Sequence, residues 1–219
     1  LSKILEEESI SIVQIGAGAS SLDPRMPHAE GVENLVSNLG RNYNGKIHLY
    51  EPNPTNIYAL RKAWNNSKFD YEIFNEGLTS SKESKNLIFY YIKEDAPHYQ
   101  CCSTIPEHVL KHYQDSIFSD LLTFKAKCVP IKSMIKRLLA YGKYRIFFAL
   151  DVEGLDYEAA LAILDSCRDY SIEGFSIEIL NMSPQQYEEI SALAAAKGFI
   201  NAGIGLDLHF WDRVYIKTD

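Results

Sequence analysis

The chain has 219 residues, of which 46% are hydrophobic and 23% charged, so it fits one domain with a full core and is not a disordered chain. Its net charge of -7 and its scattered Lys and Arg residues argue against a nucleic-acid partner, because phosphate binding needs clustered positive charge. No apolar run approaches the roughly 20 residues that cross a bilayer, so we expect no membrane partner.

The amino terminus and the cysteines predict a cytoplasmic protein. Residues Leu1 to Ser9 are polar and acidic, unlike a signal peptide. The four cysteines form neither a CxxC pair nor the disulfide framework of a small secreted domain. We therefore expect reduced thiols in the cytoplasm.

The first third of the chain alternates apolar strand-like runs with helical patterns. The predicted strands span residues 11–15, 46–50 and 70–74, and the predicted helices span residues 32–39 and begin again at residue 54. Asn53 is placed to cap the second helix, with Pro54 as its first residue. Three strands separated by two helices predict two βαβ units and a parallel sheet.

The rest of the chain continues this alternation after a less regular middle part. Further strands are predicted at residues 86–92, 125–129, 145–150, 174–179, 199–204 and 209–217, and further helices begin near residues 104, 131, 155 and 184. Thr104 and Ser183 each resemble the first residue of a capping box. The last two strands are too close for a helical crossover, so they should form an antiparallel hairpin. The predicted fold is one α/β domain, residues 1–219, with a mostly parallel, doubly wound sheet.

Candidate ligand-binding residues follow the strands, because ligands of open α/β sheets bind at the carboxyl ends near the switch in strand order. A glycine turn lets backbone approach a ligand closely, and an acidic residue after the second strand can accept both hydroxyls of a ribose. The residues in such positions are Gly16, Ala17, Gly18, Glu51, Glu76, Asp151 and Glu153. Together they predict a ligand that contains adenosine.

Three of these segments resemble motifs of the FkbM-type methyltransferases, and the resemblance extends from about Ile12 to Ile216. The resembling segments are Val13-Gln14-Ile15-Gly16-Ala17, Leu49-Tyr50-Glu51-Pro52-Asn53-Pro54 and Leu150-Asp151-Val152-Glu153-Gly154, with a weaker match at Ser176-Ile177-Glu178. The resemblance implies a Rossmann-like methyltransferase fold, of which a terminal antiparallel hairpin is typical. It also implies S-adenosylmethionine as the cofactor and O-methylation of a small hydroxylated acceptor, often a sugar.

The same resemblance assigns roles to individual residues. Gly16, Ala17 and Gly18 would approach the methionine part of the cofactor, and Asp151 would face its sulfonium. Ribose and adenine contacts, and a serine-containing turn that the family often has, would be supplied by Glu51, Asn53, Glu76, Gly77 and Ser103.

An alcohol acceptor must lose its proton as it attacks the methyl group, so the site needs a base. The candidates are Asp151, Glu153 and His209, although Asp151 serves equally well as a residue that only positions the cofactor. We also expect the loop at residues 93–103 to close over the pocket as a lid.

We predict no metal site. His108 and His112 have the i, i+4 spacing of metal ligands, but the adjacent Glu of a zincin motif is missing, which favours an exposed helical pair.

Two other functions remain open. One is an NAD-dependent oxidoreductase or epimerase, which would share the glycine turn and Glu51 but has Ser21 at the third glycine position of its fingerprint. The other is a non-catalytic binding module that keeps the fold. The sequence does not indicate the oligomeric state.

Overall fold

A computed structural model describes residues 10–18, 32–33, 35–36, 43–92, 101–113, 116–139, 145–204 and 212–218. Within these residues the strands are β1 (Ile10–Ile15), β2 (Lys46–Tyr50), β3 (Asp70–Phe74), β4 (Gly77–Leu78), β5 (Lys85–Ile92), β6 (Leu121–Val129), β7 (Arg145–Leu150), β8 (Ile172–Glu178), β9 (Phe199–Ile204) and β10 (Asp212–Lys217). The helices are α1 (Pro54–Trp64), α2 (Pro106–Lys111), α3 (Ile131–Leu139), α4 (Asp156–Ser166) and α5 (Pro184–Ala196), and a 3-10 helix spans Phe118–Asp120.

Seven strands form one sheet in the order β3-β2-β1-β7-β8-β10-β9. β1 pairs in parallel with β2 on one side and with β7 on the other, and β2 pairs in parallel with β3. The predicted α/β class and mostly parallel sheet are therefore confirmed. Because the chain builds outward from β1 in both directions, the switch in strand order lies between β1 and β7, where a ligand crevice is expected.

The carboxyl-terminal strands form the predicted antiparallel pair. β10 pairs antiparallel with β9 and also with β8, so the last strand lies between the two preceding ones. This register sets Asp212 opposite Glu178. The predicted strand was to begin at His209, but that residue lies outside the described part of the chain.

The middle part folds into a second, three-stranded sheet of order β4-β6-β5, which we did not predict. β5 pairs antiparallel with β6 over its whole length, and the two-residue β4 joins β6 in parallel. The predicted capping box at Thr104 is wrong: Ile105 is the N-cap of α2 and has no side-chain cap bond. The Ser103 hydroxyl instead accepts from the Ile105 N–H, 3.1 Å away, and α2 ends at Lys111 rather than near Ser116.

Apolar layers cover both faces of the large sheet, as expected of a doubly wound fold. Alternate residues of β1 point to opposite faces, so Val13 belongs to one core cluster and Ile12 to the other. The first cluster contains residues of α3, α4 and α5, and the second contains residues of α1. Each fully buried aliphatic side chain contributes about 1.5–3 kcal/mol to folding. None of the described helices combines the length and apolarity needed to cross a membrane.

Candidate functional site

Glu51 connects the carboxyl ends of β1 and β2. It directly follows β2, and only 3% of the residue is exposed. Its Oε2 accepts from the Gly18 N–H at 2.8 Å, and its Oε1 accepts from the Asn53 N–H at 2.7 Å. The glycine turn and the acidic residue after the second strand, 33 positions apart in the sequence, are therefore in direct contact.

The pKa of the Glu51 carboxyl group lies close to neutral pH. Burial raises the pKa of Glu51 to about 7, although hydrogen bonds from the Asn53 and Gly18 backbones oppose this shift. The Asn56 side chain also hydrogen-bonds to Glu51, and because the two carboxylate oxygens together accept about four hydrogen bonds, room for a further donor remains. Glu51 can thus bind hydroxyl groups without losing the contacts that orient it.

Amide side chains fix the loop that follows Glu51. Asn53 is the N-cap of α1, and its Oδ1 accepts from the Thr55 N–H at 2.9 Å. Asn75, which follows β3, donates through Nδ2 to the backbone oxygens of Glu51 and Pro52, at 2.9 and 3.0 Å. We did not single out Asn75 from the sequence, although its position at a strand end is the signal used for its neighbours.

The two glycines of the turn after β1 differ in how closely other described atoms approach them. Gly16 and Gly18 have positive φ values of 85° and 55°. The N–H groups of Gly16 and Ala17 both donate to the Tyr50 carbonyl, at 2.9 and 3.0 Å. A Cβ built on Gly18 would meet no atom of the described residues within 4 Å.

Glu76 forms two ion pairs at the start of the second sheet. Its oxygens contact Lys127 Nζ at 2.6 Å and an Arg137 guanidinium nitrogen at 2.7 Å. Partial burial opposes its ionisation, but the hydrogen bonds and charges of Arg137 and Lys127 outweigh burial and lower the pKa of Glu76. Both oxygens of this predicted adenine neighbour are therefore engaged. Gly77 is equally confined, since a Cβ there would lie 3.0 Å from Cys128 Sγ.

The turn after β7 contains both candidate carboxylate bases. The Asp151 N–H donates to the Ile15 carbonyl at 3.0 Å, and the residue is exposed. Glu153 has a φ of 45°, which is uncommon for a residue other than glycine. The two acids follow one strand but face different surroundings, because Glu153 is partly buried and Asp151 is not.

Helix α2 and the residues before it pack against this turn. Ser103 Oγ donates to the Glu153 carbonyl at 2.8 Å, and His108 Nε2 lies 2.8 Å from Glu153 Oε2. His108 is only 4% exposed, so the prediction of an exposed histidine pair is wrong for this residue, whereas His112 is exposed. The helical spacing could not reveal a partner that lies 45 residues further along the chain.

Further acidic residues surround the turn at the ends of β7 and β8. Burial and the charges of Glu178 and Glu153 raise the pKa of Asp156 to about 8. Burial and the charges of Glu153 and Asp212 raise the pKa of Glu178 to about 7. We did not predict either as a site residue. Glu178 is nevertheless the last residue of β8, much as Glu51 directly follows β2. Burial is the larger cause of both shifts, and the neighbouring carboxyl groups add to it, so both groups hold their protons up to about neutral pH.

The structure thus divides the predicted residues into neighbouring groups. Glu51 and the glycine turn form one group, and Gly16 connects it to Asp151. Ser103 and Glu153 form a second group, and Glu76 with Gly77 a third. His209 and residues 93–100 of the predicted lid lie outside the described residues. No family model and no curated protein matches the chain, so a functional proposal depends on these residues themselves.

Proposed function

We propose that this chain is an S-adenosylmethionine-dependent methyltransferase that methylates a hydroxyl oxygen of a small, sugar-like acceptor. The observation that carries the proposal is the contact between Gly18 N and Glu51 Oε2. It joins the glycine turn after β1 to a carboxylate of the kind that binds ribose, beside the switch in strand order. That combination suits the adenosine half of the cofactor.

The end of the large sheet favours this proposal over a dehydrogenase. An antiparallel last strand is typical of Rossmann-like methyltransferases, whereas dinucleotide-binding dehydrogenases finish with a parallel strand. Here β10 runs antiparallel to both of its neighbours. The segments that resemble the FkbM-type family lie at the ends of β1, β2 and β7.

The charge of the site also favours a sulfonium over a pyrophosphate. Asp156 and Glu178 have raised pKa values because they are buried near each other and near Glu153. A positively charged ligand lowers the cost of ionising such groups, whereas the two negative charges of a dinucleotide pyrophosphate raise it. A positively charged group at the carboxyl ends of β7 and β8 would therefore be favoured over a negatively charged one.

The chain supplies the remaining functions of a methyl transfer. When bound, the cofactor supplies a methyl group on a positively charged sulfur. Glu51 holds the ribose hydroxyls, and the turn at Gly16 sets the distance between that anchor and Asp151. Asp151 accepts the acceptor's proton, because this residue is exposed at the end of β7 beside the glycine turn. Holding donor and acceptor in line lowers the barrier by several kcal/mol.

Ligand-induced stabilisation tests the cofactor assignment. A ligand at about 100 times its Kd stabilises the folded state by about 2.7 kcal/mol, which for a chain of this length corresponds to a rise in Tm of roughly 5–10 °C. We expect this rise with S-adenosylhomocysteine and none with NAD. A rise with NAD alone, or with neither compound, would reject the proposal.

Transfer of a labelled methyl group tests the enzymatic part separately. The protein is incubated with S-adenosylmethionine that carries a labelled methyl group and with an extract of hydroxylated metabolites. We expect labelled methyl ethers that depend on the protein. Cofactor binding without any transfer would instead identify a non-catalytic binding module.

A further inference from the structure

We propose that Cys101, His108, His112 and Glu153 bind a zinc ion. One ligand atom of each residue, a thiol sulfur, two imidazole nitrogens and a carboxylate oxygen, lies within 4.8 Å of all the others. Three of these residues come from α2 and the residues that flank it, and Glu153 comes from the turn after β7. The cluster therefore joins two parts of the chain that are distant in sequence.

The donor set is that of a zinc site. Zinc binds thiolate, imidazole and carboxylate in tetrahedral geometry, with bonds of about 2.0 Å to nitrogen and oxygen and about 2.3 Å to sulfur. The ligand atoms of such a tetrahedron are about 3.3–3.6 Å apart. The most distant of the four atoms need to approach by about 1 Å, and His108 Nε2 and Glu153 Oε2 need to separate by about 0.5 Å, which side-chain rotation can supply. A thiolate among the ligands disfavours magnesium and calcium, which prefer oxygen.

The four ligand residues differ in how deeply they are buried. Cys101 and His108 are 5% and 4% exposed, Glu153 is partly buried and His112 is exposed. An ion can therefore enter past His112 and reach donors that are sheltered from water. Zinc would replace the proton between His108 Nε2 and Glu153 Oε2, which are 2.8 Å apart, and would displace the thiol proton of Cys101.

Hydrogen bonds of the Ser103 hydroxyl already hold the two parts of the cluster together. Ser103 Oγ donates to the Glu153 carbonyl at 2.8 Å and accepts from the Ile105 N–H at 3.1 Å. These bonds fix the segment that contains Cys101 against the turn that contains Glu153. Because the ligands are already held in place, ordering the chain around the metal costs less free energy.

The ion would have a structural role beside the proposed active site. The protein supplies four ligands, so a tetrahedral zinc would have no open position for substrate or water. It would fasten α2 to the turn that also contains Asp151, and so fix one wall of the acceptor site. The proposal does not depend on the proposed methyltransferase activity.

Metal titration of the full chain tests this site. The protein is freed of metal by a chelator and then titrated with Zn²⁺ against a chromophoric competitor, and in parallel with Co²⁺ as a spectroscopic substitute. We expect one equivalent of zinc. With cobalt we expect the visible bands of a tetrahedral ion and a thiolate-to-cobalt charge-transfer band in the near ultraviolet.

Single substitutions identify the ligands. Cys101→Ser should abolish the charge-transfer band, and both Cys101→Ser and His112→Ala should weaken zinc binding by about 100-fold or more. Cys167→Ser, at the C-cap of α4, is the matched cysteine control and should leave both signals unchanged. His112 is exposed, so His112→Ala should fold normally even where the buried cysteine variant does not.

Two results would overturn the zinc site. One is the absence of stoichiometric metal binding by the wild-type chain. The other is zinc binding that persists in His112→Ala together with a cobalt spectrum that lacks the thiolate band. Zinc binding without S-adenosylhomocysteine binding would reject the proposed function alone, so the two failures are distinguishable.

Discussion

Gly16 lies directly against the backbone of Asp151: a Cβ built on this glycine would be 1.7 Å from the Asp151 carbonyl oxygen. The contact joins the ends of β1 and β7, whose last residues, Ile15 and Leu150, are paired. Only a residue without a side chain allows the two strand ends to come so close. The distance between the glycine turn and the proposed base is therefore set by backbone packing.

Replacing Gly16 should cost far more stability than replacing Gly18. Both have positive φ, for which an alanine costs roughly 1–2 kcal/mol, but only at Gly16 does the new methyl group overlap a backbone atom. We expect Gly18→Ala to lower the free energy of unfolding by about 1 kcal/mol and Gly16→Ala to lower it by about 3 kcal/mol or more. Urea denaturation measures both values. Equal losses would show that the turn relaxes freely around the new side chain.

The carboxyl group of Glu51 should make folding stability depend on pH between about 4.5 and 7. Its pKa is raised to about 7 in the folded state, so the unfolded chain ionises first and stability falls as pH rises through this window. A shift of this size corresponds to about 3 kcal/mol. Glu51→Gln removes the titration, so the difference in unfolding free energy between wild type and variant should change by about this amount from pH 4 to pH 8.

The matched control for this pH effect is Asp70→Asn, at the exposed first residue of β3. It removes one carboxyl group from an exposed position, so it measures how far the loss of any single carboxyl group changes the pH dependence. Taking differences is necessary because Asp156 and Glu178 also have raised pKa values and titrate in overlapping ranges. A pH-independent difference for Glu51→Gln would mean that Glu51 has an ordinary pKa.

The same carboxylate should determine cofactor affinity. A hydrogen bond to a charged group contributes about 1.5–3 kcal/mol, so Glu51→Gln should weaken S-adenosylhomocysteine binding by roughly 10- to 100-fold. Asp70→Asn should leave the affinity unchanged. Calorimetric titration of the three proteins gives the dissociation constants. An unchanged affinity in Glu51→Gln would remove this residue from the cofactor site.

The sequence predicted the large sheet well because its signals are local. Short apolar runs such as Arg145–Leu150 and the capping box of Ser183 with Gln186 mark the elements directly. The second sheet was missed because β5 and β6 pair across residues whose hydrophobic pattern does not indicate a partner. Thr104 failed as a cap because the helix begins one residue later, with Ile105 as its N-cap.

Residues of the candidate site could be predicted from the sequence only where a glycine or an acidic residue directly follows a predicted strand. That reasoning selected Glu51 and Asp151 and brought them to one edge of the sheet. It could not anticipate that Glu76 binds Lys127 and Arg137, since these partners come from β6 and α3. The partners of His108 were equally hidden, because contacts between distant segments leave no periodic signal.

Glu76→Gln should destabilise the fold mainly above the ordinary pKa of a glutamate. The pKa of Glu76 is lowered in the folded state, so its ion pairs contribute stability that is lost as pH falls through that lowered pKa. The side chain is only 12% exposed, so we expect a loss of about 1–3 kcal/mol at pH 7 and a smaller loss near pH 3.

The control for Glu76 is Asp165→Asn, which removes an exposed ion pair with Lys132. Solvent screens this pair, so its removal should cause no measurable change in the free energy of unfolding. Denaturation of both variants at the two pH values tests the difference. Equal effects of the two substitutions would show that the Arg137 contact contributes no more than a surface pair.

Asp151→Asn should separate proton removal from cofactor binding. The substitution keeps the shape of an exposed side chain and leaves the backbone contacts to Gly16 and Ile15 in place, so the fold and the affinity for S-adenosylhomocysteine should remain close to those of the wild type. An amide cannot take the acceptor's proton, so turnover should fall by about 100- to 10,000-fold. Glu158→Gln removes the same charge from an exposed acid on α4 and should keep full turnover. If Asp151→Asn keeps normal turnover but binds the cofactor more weakly, then Asp151 only positions the sulfonium, and the acceptor's proton must leave by another group.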